Sequence, residues 1–289
     1  MTRSVSVILD GYTYFECPRW RDGRIWVSDF YTHQVVSARA DGSDVRVEAL
    51  VPEQPSGLGW LPDGRLLVVS MRDRRVLRRE ADGTLVEHAD LSRHATGHTN
   101  DMLVDREGRA YVGNFGFDLM GGGAIATADL VRVDPDGSVH VVARDLHFPN
   151  GMAITGDGAL LVNETIGNRI SAFDLRPDGS LGERRDWAVF GAVPHGTDVT
   201  AAIGQIVVAP DGSCLASDGS LWVADAMGNR VVRVAGGAIV DEIAFDSGAY
   251  ACGLGGDDGQ TLFVCAAPDF NEHQRKIETK GRLLAVTLS

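Results

Sequence analysis

One phrase recurs six times along this chain and limits what the chain can fold into: a turn carrying Gly, followed by a short run of β-forming residues. The copies are Asp22-Gly23 before Arg24–Asp29, Asp63-Gly64 before Arg65–Ser70, Glu107-Gly108 before Arg109–Asn114, Asp157-Gly158 before Ala159–Glu164, Asp218-Gly219 before Ser220–Asp225, and Asp258-Gly259 before Gln260–Cys265. Their glycines stand 41, 44, 50, 61 and 40 residues apart. That period matches the ~40–50 residues of one four-stranded propeller blade, in which Asp-Gly joins antiparallel strands at little conformational cost. A second turn falls inside most repeats, at Asp41-Gly42, Asp82-Gly83, Asp136-Gly137, Asp178-Gly179 and Gly236-Gly237, where an outer hairpin should reverse. The expectation is an all-β protein: a six-bladed β-propeller of four-stranded antiparallel blades around a central metal site.

The runs Gln34–Arg39, Arg74–Arg79, Asn168–Phe173 and Asn229–Val234 read as third strands of their blades. The alternating run Ser4–Leu9 is placed to pair beside Arg282–Leu288, closing the ring and hiding a sheet edge. No helix-period stretch is long enough for a second domain, so residues 1–289 are read as one propeller domain. Cytoplasmic localisation is expected, because Met1–Asp10 lacks the apolar core and cleavage site of a secretory signal and no segment has the ~20 apolar residues of a membrane span. The four cysteines, at 17, 214, 252 and 265, show no metal-ribbon or disulfide spacing. A net charge of −13 opposes nucleic-acid binding, which needs a basic footprint. The expected partner is a small molecule, with neither nucleic acid nor membrane, and the assembly a monomer or small homo-oligomer.

Residues leading into the repeats from different blades can converge at the axis. The lead-ins are Phe15–Trp20, Pro55–Trp60, Thr99–Met102, Phe148–Met152, Pro210–Ser213 and Ala251–Leu254, and four of them carry Glu, Asn or Asp at equivalent places. Taken singly, Asn-Gly and Asp-Gly are ordinary turn residues. Their common phase in several blades points instead to a hard, all-oxygen pocket suited to calcium, magnesium or manganese, with coordination positions left for water and substrate.

The motifs Glu16–Trp20, Asn100-Asp101, Phe148–Met152 and Pro210–Ser213, each heading a blade, resemble the senescence marker protein and gluconolactonase family, and the resemblance runs nearly end to end. It implies a metal-dependent lactonase, opening a sugar-type or other small lactone. It also implies that Glu16, Asn150 and Asp211 hold one divalent metal ion, with Ca2+ the first expectation and Zn2+, Mn2+, Mg2+ or Fe2+ as alternatives. The same resemblance gives Asn100 a contact to substrate or metal-bound water, with Asp101 beside it. Two positions depart from the pattern: His98 stands where some sugar lactonases have Arg, and Cys17 where Gly is common.

The metal would act as Lewis acid on the lactone carbonyl, Asp211 or Asp101 would deprotonate the attacking water, with Asp211 favoured as ligand and Asp101 as base, and Asn100 and Asn150 would orient the substrate. His98 is expected to line the pocket, and Phe115 and Phe117, in the Gly-rich stretch 113–123, to give apolar contact above the axis. His94 and His98 have the spacing of helical zinc ligands, but the surrounding composition reads as a loop. Ser56 and Ser213 lie outside any nucleophile-elbow motif. The rival functions are a phosphotriesterase or fluorophosphatase, a metal-dependent isomerase or dehydratase, and a non-catalytic binding propeller.

Overall fold

The computed structural model describes residues 3–288; residues 1, 2 and 289, the outermost of the expected domain, lie outside the described residues. It contains six four-stranded antiparallel sheets. The first is built from Phe15–Arg21, Arg24–Asp29, Gln34–Ala38 and Arg46–Leu50, in that order from the axis outward, and the next four repeat the pattern. The sixth is shared by the two ends of the chain: Val5–Tyr12 pairs antiparallel with Gly281–Thr287, with Val5 opposite Val286 and Val7 opposite Leu284.

The repeated turn phrase works locally. In three copies the Asp carboxylate accepts the amide of the residue two positions on: Asp63 from Arg65 N at 3.0 Å, Asp218 from Ser220 N at 3.1 Å and Asp258 from Gln260 N at 2.9 Å. The Gly between them takes the left-handed conformation that L side chains avoid, with φ +87° at Gly64. Much of the chain's acidic charge is therefore spent on turns.

The phrase joins the first strand of a blade to its second, so the runs after Asp-Gly are second strands. The lead-in segments are themselves the innermost strands: Phe15–Arg21, Pro55–Trp60, Thr99–Val104, Pro149–Ile154, Pro210–Leu215 and Gly248–Gly255. Their Gly, Pro and Asn content hides them from β-propensity, and sterics explain it. Inner strands of adjacent blades converge, and a Cβ on Gly151 would lie 2.4 Å from Asp211 O of the next blade.

The core lies between blades rather than within one layer. Phe15, Ile25 and Val27 of the first blade pack on Phe263, Cys265 and Leu283 of the sixth, so ring closure buries apolar surface as well as pairing an edge. Full burial of a side chain such as Phe263 contributes roughly 1.5–3 kcal/mol. Two short helices interrupt the loops, α1 (Val199–Ile203) and α2 (Glu272–Ile277). Among the described residues no helix is long and apolar enough to cross a membrane.

Candidate active site

Every inner strand is irregular near its start. In the fourth blade Pro149 pairs with Glu164 and the next partners are Met152 and Val162, so Asn150 and Gly151 face a single residue, Asn163. Equivalent breaks fall after Glu16, Pro55, Thr99, Pro210 and Ala249. A bulge of this kind bends the strand and re-aims a side chain. Here it presents one residue per blade at the axis: Glu16, Ser56, Asn100, Asn150, Asp211 and Tyr250. All six are buried, and all but Ser56 line one central chamber.

Hydrogen bonds hold this ring. Asn150 donates through Nδ2 to Thr165 Oγ1 at 3.1 Å and to Asp211 Oδ1, while the Thr165 hydroxyl donates to Pro210 O at 2.9 Å. Ser56 donates to Asn100 Oδ1 at 3.0 Å, fixing that amide so that its Nδ2 is left for the chamber. Glu16 receives only long bonds, from Cys17 N at 3.3 Å and the Tyr14 hydroxyl at 3.4 Å.

The electrostatics set Glu16 and Asp211 apart from other buried acids. Burial, and then the charge of Asp101, push Glu16 up to about 8. Burial, followed by the charges of Glu16 and Asp101, raises Asp211 well above the usual carboxylate range. Glu164 is equally enclosed, and its burial also acts upward. It is nonetheless held down at about 2 by His147, by the Ser171 hydroxyl and by Arg169 at 3.0 Å. Glu164 thus has its cation, whereas Glu16 and Asp211 face each other with none.

Among the described residues no three His, Cys, Asp or Glu side chains cluster as a metal site. The set at the axis is two carboxylates and an amide, Glu16, Asp211 and Asn150. This all-oxygen donor set, whose two carboxyls are buried with no ion-pair partner among the described residues, fits a hard divalent cation.

Asp101 does not join the chamber. Its carboxylate accepts from Arg19 Nη2 at 2.8 Å, Met102 N at 2.7 Å and the Cys17 thiol at 3.2 Å. Asp101, one of the two expected bases, is thus ion-paired behind Glu16 rather than lining the chamber. The cause is local. Cys17 turns with φ +52°, which brings Arg19 of the first blade to Asp101 of the third. Cys17 itself is buried, and burial pushes its thiol well up, so it stays protonated.

The chamber has a volume of about 350 Å³, near the low end of the roughly 300–1,000 Å³ of small-ligand sites. His98, Phe115 and Phe117 line it as expected, with the His98 ring 5.8 Å from that of Phe115. Desolvation lowers the His98 pKa, favouring the neutral imidazole. Position 94 and position 98 both lie in loop, away from any helix.

Sequence reasoning missed Tyr250, Thr165 and the Arg72–Glu272 ion pair at the mouth, 2.8 Å long. Tyr250 was detectable by counting back from the sixth repeat, since Ala249-Tyr250-Ala251 occupies the register of Pro210-Asp211-Gly212. The Arg72–Glu272 pair joins residues 200 apart and leaves no local signal.

Residues 15–268 match the family described as the SMP-30/Gluconolactonase/LRE-like region. The chain belongs to this family. Among relatives, it is 28% identical over 264 residues to the 6-deoxy-6-sulfogluconolactonase of Pseudomonas putida, covering 87% of this chain and 82% of that one. It is 25% identical over 255 residues to lactonase drp35 of Staphylococcus epidermidis, covering 84% and 70% respectively. Among solved structures, a gluconolactonase from Xanthomonas campestris superposes with a TM-score of 0.75 at 26% identity, covering 99% of this chain and 90% of that one. Membership of this family and the six-bladed propeller therefore agree.

Proposed function

We propose that this protein is a lactonase that hydrolyses a small lactone at the axial ring, with one divalent cation held by Glu16, Asn150 and Asp211. The observation that carries the reading is the pair of buried, mutually repelling carboxylates without a cation, at the floor of the one chamber they share with Asn100 and Asn150. Lactonase names among the relatives support the reaction class. The geometry resembles the calcium-type donor sets of oxygen ligands, which makes calcium the first metal to try.

When bound, the cation supplies Lewis acidity toward the lactone carbonyl. The chain's own groups do the rest. Asp211, which lines the chamber with only its Oδ1 engaged by Asn150, accepts a proton from the attacking water through Oδ2. Asn100, with its oxygen engaged by Ser56, donates through Nδ2 to an oxygen of the lactone and orients it. The ester C–O bond breaks as the ring oxygen gains a proton, giving a hydroxy acid. Asp101 and Arg19 hold the backbone behind Glu16.

Titration of released acid in a pH-stat, before chelation, after it and after re-addition of Ca2+, Mn2+ or Zn2+, tests the proposal. Activity should vanish and return with metal. Asp211→Asn should cost about 10²–10⁴-fold, the usual worth of a positioned base, and Asp101→Asn far less. Undiminished turnover in metal-free protein or in Asp211→Asn would sink the reading.

A further inference from the structure

The floor of the chamber is polar and its walls are not. Above the ring the lining comes chiefly from Phe115, Phe117, Phe148, Met71 and Ile206, and from α1, which turns Val199, Ala202 and Ile203 inward from one face. The lip continues the character: Met120, Met227 and Phe270 line the mouth and remain substantially exposed. A contiguous exposed apolar lip around a chamber marks a binding surface.

Most of the polar wall groups are committed to one another, the His98 imidazole and the Tyr250 hydroxyl being the exceptions. Gln54 accepts from Arg72 Nε at 2.9 Å and donates to Met71 Sδ at 3.1 Å. Arg72 is bound to Glu272, which also takes Lys276 at 2.6 Å. The Tyr31 hydroxyl donates to Phe270 O at 2.6 Å, and Asp118 accepts from Gly121 N at 2.8 Å. Arg72 is the one Lys or Arg lining the chamber among the described residues, and its charge is matched. A polyhydroxylated or anionic ring would bury several hydroxyls or charges against walls that offer chiefly the His98 imidazole and the Tyr250 hydroxyl, and each group left unmatched costs about 10–100-fold in affinity.

We infer that the lactone opened at this site carries an alkyl or aryl substituent lodged between the phenylalanine wall and α1, in place of the hydroxyls of a sugar lactone. This rests on the lactonase reading for the reaction and on the chamber walls alone for the substituent. The carbonyl end sits at the Glu16–Asn100–Asn150–Asp211 floor, and the tail points toward the mouth. Each methylene so buried is worth about 4-fold, and a butyl tail about 10²-fold.

The test compares kcat/KM of the calcium-loaded protein for δ-valerolactone, δ-nonalactone, which adds four methylenes, and glucono-1,5-lactone. It is run alongside calorimetric binding of the hydrolysis-resistant lactams piperidin-2-one and 6-butylpiperidin-2-one. The expected result is δ-nonalactone above δ-valerolactone by about 10²-fold, gluconolactone below both, and the butyl lactam the tighter binder by a similar factor. Ile203→Asn should shrink both butyl preferences several-fold. A preference for gluconolactone, or butyl preferences within about threefold of unity, overturns the inference while leaving the lactonase reading intact. If no lactone is opened, the lactonase reading fails and the inference with it, and the lactam ratio then reports whether the chamber selects apolar tails at all.

Discussion

Replacing Glu16 by Gln should make the metal-free protein more stable, even though it removes a residue from the centre of the fold. Glu16 is enclosed, lacks a cation, and has its proton affinity raised from 4.5 to about 8, first by burial and then by Asp101. A carboxyl raised in this way contributes stability fully below its unfolded value and loses it as pH climbs through 8. At pH 7 the unfolded chain has released the proton while the folded one retains it, a difference of about 3 kcal/mol against folding at 1.36 kcal/mol per unit. Glutamine keeps the amide-like oxygen for Cys17 N and the Tyr14 hydroxyl and carries no charge to bury.

In excess chelator at pH 7, calorimetry should therefore place Glu16→Gln about 6 °C above wild type, taking about 2 °C per kcal/mol for a chain of this size. The gap should close near pH 4.5. Ca2+ at about a thousandfold excess over Kd reverses the order, because wild type then gains about 4.1 kcal/mol against a gap of about 3 and the variant gains much less. A variant that is less stable than wild type in chelator at pH 7, or a gap independent of pH, would show that the Glu16 carboxylate makes a favourable structural interaction and would refute the reasoning.

Two further outcomes follow from the same geometry. Arg19→Met strands the buried Asp101 carboxylate, now 2.8 Å from the guanidinium, and should cost about 3–5 kcal/mol in urea denaturation, whereas the double variant with Asp101→Asn should recover most of that loss. Gly151→Ala drives a Cβ to within 2.4 Å of Asp211 O, so it should cost about 1–3 kcal/mol and weaken Ca2+ binding measured by calorimetry, because the strand carrying Asp211 must move.

The blade count was legible because the repeated turns are local: a Gly at positive φ, and in three copies an Asp side chain on an amide two residues on, need no tertiary partner. Edge closure was legible because the alternating run from Val5 and the apolar run Leu283–Val286 are both strand-like and lie at opposite ends of the chain. The inner strands were not, since glycine at 57, 151 and 212 answers crowding from the neighbouring blade, and propensity counts it against a strand. The axial set of Glu16, Asn100, Asn150 and Asp211 could be read from shared phase alone, but the sixth member, Tyr250, sits in a segment without the Pro or Asn that marked the others. The placement of Asp101 outside the chamber was not legible, because its direction depends on the Cys17 backbone and on Arg19, 82 residues away. The apolar walls come from α1, the Phe115–Phe117 loop and single residues such as Met71 and Phe148, whose placement is set by long-range contacts.

The central claim is that Glu16, Asn150 and Asp211 hold one divalent cation where the lactone is opened. Crystals grown with Mn2+ and measured at its absorption edge address it directly. The account predicts a single anomalous peak on the axis, about 2.0–2.6 Å from an oxygen of each of the three side chains, and its loss in Asp211→Asn. A peak elsewhere, or none in crystals of protein that still opens lactones, would contradict it.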